Sequence, residues 1–218
     1  GLLTAWSIGE FASVFAAPTE MIGLIIASII ICGVGVIDDI RPISAPAKVA
    51  GMVVAGSVLS LTGISLLVLR IPFSDLIILS PDLSALLTVV WVFLIVNAVN
   101  LIDGLDGLAA GIVGIASITF FLYAIRLGDS GVLFPGNPGA LIAILIVAIC
   151  VGFLPHNVHP ARIFMGDSGA LLLGLLLAAS TVSVGGRTDV PFSGQSFFFF
   201  APIYYGNLHN LKQPLYQD

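Results

Sequence analysis

The chain has 218 residues, of which 58% are hydrophobic and only 9% charged, where a soluble domain carries roughly a quarter charged residues. With a mean hydropathy of +1.15, one soluble core could not hide this much apolar surface, so the class is an all-α, polytopic membrane protein. Twelve acids against seven bases give a net charge of −5 and leave no basic stripe, which excludes nucleic acid as a partner.

The chain opens at Gly1 without a methionine, and its start lacks the pattern of a signal peptide. It reads as a single integral membrane domain over residues 1–218, incomplete at both ends. A helix needs about 20 apolar residues to cross the hydrocarbon layer. Six such blocks run in order: Met21 to Ile37, Ala47 to Leu69, Leu83 to Ile102, Leu105 to Ile125, Ala140 to Leu154 and Ala170 to Val184. A seventh is expected from Phe197 to Tyr205, for a bundle of six to seven spanning helices. Cys32 and Cys150 lie inside these blocks, without a CxxC or His-rich neighbourhood, and read as small packing residues.

Assigning the gaps alternately to two faces sorts the polar residues. One face collects Asp38, Asp39, Arg41 and Lys48, then Asn100, Asp103 and Asp106, then His156, Asn157, His159, Arg162 and Asp167. The other collects Arg70, Asp75, Asp82, Arg126, Asp129, Arg187 and Asp189 among prolines, the composition of ordinary turns. Lys and Arg are split almost evenly between the faces, so charge orients the chain weakly.

Three segments on the first face carry chemistry. Asp38 and Asp39 end an apolar helix, where a stop signal would usually be basic and where two carboxylates oppose the helix macrodipole. In the second segment Asn97, Asn100, Asp103 and Asp106 recur every third residue, so a persisting helix would align them along one stripe. Gly104 and Gly107 present no side chain to block a ligand, and Gly107 with Gly111 forms a small-xxx-small face for close helix approach. The third segment runs from Asn157 through His159 and Arg162 to Asp167, Ser168 and Gly169. Asp167 is either a helix cap or a substrate ligand, and Arg162 either a phosphate clamp or a lipid-headgroup anchor. His156 and His159 read as interfacial polar residues rather than ligands. So many carboxylates beside few bases call for a hard cation, and magnesium, with manganese as a substitute, suits oxygen donors and phosphoryl transfer.

At these residues the sequence resembles the polyprenyl-phosphate N-acetylhexosamine-1-phosphate transferases, the family of MraY, WecA and TagO. The paired aspartates are similar to Asp38-Asp39, the NxxNxxDGLDGL segment to Asn97 to Leu108, and the PA(K/R)xFMGDxG loop to Pro160 to Gly169. The likeness spans roughly Gly33 to Gly174. The 65-residue step from Asp38 to Asp103 and the wording of the third segment look more like the WecA/TagO branch. The resemblance implies transfer of N-acetylglucosamine 1-phosphate from UDP-GlcNAc to a membrane polyprenyl phosphate, releasing UMP and starting a cell-envelope glycan. It implies a multi-pass protein of the plasma membrane with cytoplasmic site loops, its partners being the UDP-sugar, the lipid acceptor, membrane lipid and, as one expected assembly, a second copy.

By the same resemblance Asp103 is the principal magnesium ligand, with Asp39 and Asp106 supporting the metal or the diphosphate. Asp38 is the candidate base, or the nucleophile of a two-step route. Asn97, Asn100, Arg162 and Asp167 bind substrate. The family's later HxHH loop has no counterpart here, and His209 stands alone. Competing classes are an ion-coupled transporter, which would place its acids at mid-helix depth, an intramembrane aspartyl protease, and a non-catalytic membrane subunit.

Overall fold

A computed structural model describes residues 14–16, 18–70, 76–133 and 136–186, together with Thr4 and Ser7. The expected seventh span from Phe197 to Tyr205 and the isolated His209 lie outside the described residues. Within them the chain forms six helices: α1 (Pro18–Ile40), α2 (Ala45–Leu61), α3 (Pro81–Ile102), α4 (Leu108–Asp129), α5 (Gly139–Asn157) and α6 (Gly166–Gly185). All but α2 are long and apolar enough to cross a membrane, and the all-α, multi-pass class follows. Large apolar side chains such as Ile29, Leu94, Ile115 and Val151 stand exposed on the helix surfaces, where lipid rather than water is the expected neighbour.

The second span departs from its expected end. The apolar run continues to Leu69, but the helix stops at Leu61, where Gly63 takes a left-handed φ of 109° and the Thr62 hydroxyl donates back to the Val58 carbonyl. The remainder of the run enters a short antiparallel hairpin, β1 (Val68–Arg70) with β2 (Leu76–Ile78), in the register Val68 to Ile78. At 17 residues α2 is only about 25 Å long, short of the hydrocarbon thickness.

The helices alternate in direction, so the ends of α1, α3 and α5 meet the starts of α2, α4 and α6 at one end of the bundle. Helix α6 is its hub. It packs against α1, α3 and α5 and is buried almost throughout from Ala170 to Gly185. Small residues allow this approach: a Cβ on Gly174 would fall 2.7 Å from the Val96 Cα, and one on Gly35 2.4 Å from the Ser168 Cα. Close packing was expected at Gly107 and Gly111 instead, but nothing lies within 4 Å of a Cβ on Gly111. Interhelical polar contacts complete the far half, where the Trp91 indole donates to Thr181 Oγ1 at 2.9 Å and Asn137 Nδ2 to the Ser183 carbonyl at 2.6 Å. There the hairpin is tied to the end of α6 through the Leu67 amide and the Gly186 carbonyl.

Candidate active site

The site forms at the end of the bundle where the three acidic segments converge. Helix α3 ends at Ile102, and residues 103–107 form a turn before α4, with Gly107 at φ 75°. The expected continuous helical stripe therefore breaks after Asn100. Asp-Gly pairs favour turns over helix, because Asp competes for local backbone bonds and Gly accepts a left-handed φ. The turn brings Asp103 and Asp106 to a pocket of about 220 Å³ that Asp39, Asn157, Phe164 and Asp167 also line. Gly104 borders it, with nothing within 4 Å of where a Cβ would stand.

The turn is held from the third segment. Asn157, only 4% exposed, accepts from the Gly107 amide at 3.0 Å and donates to the Ile163 carbonyl at 2.9 Å. Asp106 Oδ2 accepts from the Ala161 amide at 3.1 Å and lies 2.8 Å from His159 Nδ1. The His159 contact, followed by that amide, holds the Asp106 carboxyl below its ordinary value. The Asp103 side chain makes no hydrogen bond among the described residues, and its carboxyl is pushed up, first by burial and then by the charges of Asp167 and Asp39.

A second network links the helix ends. Asp38 accepts from the Ile43 amide and from Lys48 Nζ, each at 2.9 Å, and the same ammonium donates to Asp167. Asn100 Nδ2 reaches the other Asp167 oxygen at 3.1 Å. The carboxylate of Asp39 accepts from the amides of Asp167 and Ser168, at 2.8 and 3.0 Å. Of the two roles open to Asp167, its side chain thus makes no cap; the first amides of α6 are satisfied by Asp39 from another helix. Gly166 permits the contact, having a φ of 65° and a Cβ position 2.9 Å from an Asp39 oxygen.

Asp38, Asp39, Asn100, Asp103, Asp106 and Asp167 are therefore brought together. Asn97 and Arg162 are exposed and do not line the pocket. Lys48, Asn157 and His159 were given no site role by sequence reasoning, although Lys48, a cation ten residues after Asp38 on an acidic face, was a usable signal.

Among the described residues, no three His, Cys, Asp or Glu side chains stand together as a ready metal site. The donor set nevertheless fits magnesium, which takes one or two carboxylates and completes its shell with water and phosphate. The donors at the pocket are oxygens, and Asp103 is a partly buried carboxylate among like charges, the environment a cation relieves.

Comparisons with known proteins show which family the chain belongs to. The chain is 42% identical over 177 residues to the decaprenyl-phosphate N-acetylglucosaminephosphotransferase of Mycobacterium leprae, covering 79% of this chain and 44% of that protein. It is 35% identical over 166 residues to a probable undecaprenyl-phosphate N-acetylglucosaminyl 1-phosphate transferase of Bacillus subtilis, covering 76% and 44%. Against the phospho-N-acetylmuramoyl-pentapeptide-transferase of Clostridioides difficile the identity is 38% over 130 residues, covering 60% and 38%. The chain spans less than half the length of these relatives. The model of glycosyl transferase family 4 matches residues 21–185, which contain all three acidic segments, and the chain belongs to that family.

Proposed function

We propose that this site transfers N-acetylglucosamine 1-phosphate from UDP-GlcNAc to a membrane polyprenyl phosphate, releasing UMP. The observation that carries the reading is the oxygen-lined acidic pocket at the end of a membrane bundle, set in a chain whose relatives from Mycobacterium leprae and Bacillus subtilis bear an N-acetylglucosamine phosphate transfer in their names. A lipid phosphate oxygen would bond to the phosphorus next to the sugar as the bond from that phosphorus to the UMP oxygen breaks. A phosphate monoester has a second pKa near 6, so the acceptor is mostly ionised at neutral pH and needs placement more than deprotonation. Asp38, read from the sequence as the base, is already engaged by Lys48 and the Ile43 amide, and we assign it to hold that lysine.

Asp103 would hold magnesium, with Asp106 or Asp167 beside it; when bound, the ion would neutralise diphosphate charge. Lys48 and Asn100 fix the direction of the Asp167 carboxylate. Lipid stands close by, since Phe164 is 75% and Leu105 70% exposed beside the polar pocket. We place this end at the cytoplasmic face of the plasma membrane, where nucleotide sugars are available. The acids sit at helix ends and turns rather than at mid-helix depth, which disfavours the transporter reading.

The test is transfer of labelled N-acetylglucosamine 1-phosphate to polyprenyl phosphate by the complete protein in detergent, with and without magnesium. Labelling that needs magnesium and is lost in Asp103→Asn supports the proposal. Labelling only from a UDP-muramoyl-peptide would keep the reaction class and overturn the sugar, and labelling from no nucleotide sugar would overturn the reading.

A further inference from the structure

The paired aspartates that end α1 are chemically identical neighbours, yet the fold uses them differently. Asp38 faces a lysine and a loop amide, whereas Asp39 places one oxygen on the Asp167 amide and the other on the Ser168 amide. Those amides belong to the first turn of α6, whose backbone donors have no partner within the helix. Its own N-cap position is Met165, which supplies no acceptor.

The cap therefore arrives from 128 residues away, and the surroundings are shaped for it. A Cβ on Gly166 would stand 2.9 Å from Asp39 Oδ1, and one on Gly35, a turn earlier on α1, 2.4 Å from the Ser168 Cα. Either would drive the carboxylate and the helix start apart. With both oxygens occupied by amides, Asp39 has less to offer a cation than Asp103.

We infer that Asp39 is a positioning residue that acts through Asp167: it clamps the first turn of α6 onto the end of α1 and so aims the Asp167 carboxylate at Lys48, Asn100 and the pocket. It is neither a metal ligand nor a group that moves protons. This assignment rests on the transferase reading for its kinetic consequence, and on the geometry alone for its stability consequence.

The test is a double-mutant cycle in the complete protein with Asp39→Asn, Asp167→Asn and the pair, reading kcat for sugar-phosphate transfer alongside the Tm of each protein and of Asp39→Ala. Misaiming a site group by about 1 Å costs on the order of 100-fold, so Asp39→Asn should lower kcat by roughly 10- to 100-fold. The double variant should be no slower than Asp167→Asn, within about twofold, because Asp39 acts chiefly through Asp167, its charge being the smallest of the influences on Asp103. Losses that multiply would mean that Asp39 touches metal or substrate by itself, and would overturn the inference.

Asp39→Ala should lower Tm by about 2–4 °C, the shift expected for a lost cap in a protein of this size. An unchanged Tm overturns the clamp whatever the activity. If the unaltered protein transfers no sugar, the transferase reading fails while the Tm comparison still decides whether Asp39 clamps α6.

Discussion

His159 Nδ1 lies 2.8 Å from Asp106 Oδ2, joining the loop that follows α5 to the turn that precedes α4. The pair is one of several ties between these segments, and it is the most open to solvent, the His159 side chain being 85% exposed. Its contribution should therefore depend on pH more than on packing. Asp106 has its folded carboxyl below the ordinary value near 3.9. The stability it contributes is present above that ordinary value and is lost as pH falls through the lower folded one. Asp106→Asn should flatten the acid side of a plot of Tm against pH.

Asn157 is the buried counterpart of that pair. Asn157→Ala removes the partner of the Gly107 amide and of the Ile163 carbonyl together, at a cost of about 2–3 kcal/mol. Freed at one end, the 103–107 turn should no longer hold Asp103 at the pocket. Transfer is expected to fall by roughly 100-fold, with the Tm loss read in parallel by thermal unfolding in detergent.

Lys48 is the cation shared by Asp38 and Asp167. Lys48→Met should leave two partly buried carboxylates without their counter-charge, lowering both Tm and kcat. Lys48→Arg should recover most of the stability but less of the rate, because a planar guanidinium cannot replace a compact ammonium between two acids. Equal recovery of both would show that charge alone is required.

At the packing level, Gly174→Ala would set a methyl group 2.7 Å from the Val96 Cα at the α3 to α6 crossing. A loss of about 1–3 kcal/mol is expected from forcing the two helices apart, measurable as a lower detergent Tm. Gly111→Ala, where there is open space, should be neutral.

Hydropathy revealed the spans because long apolar runs have few other homes, and the three acidic segments were visible because charge at membrane depth needs a reason. The same measure failed at Leu61, since Ile64 to Leu69 is as apolar as a helix and only the Thr62-Gly63 turn separates the two. Periodicity failed at Asp103, because counting every third residue assumes a helix that Gly104 and Gly107 end. The cap of α6 by Asp39 left no local trace. Its donor and acceptor lie on different helices, and only the packing of α1 against α6 brings them within reach. Lys48 was legible as a charge but not as a bridge, for the same reason.

The hub position of α6 also bears on how the site is assembled. Of the five long helices it has the lowest hydropathy, and its Ser180, Thr181 and Ser183 are buried among neighbouring helices instead of facing outward. Those hydroxyls are covered only where α1, α3 and α5 pack around the helix, and since the first turn of α6 carries Asp167, the site is complete only in the assembled bundle.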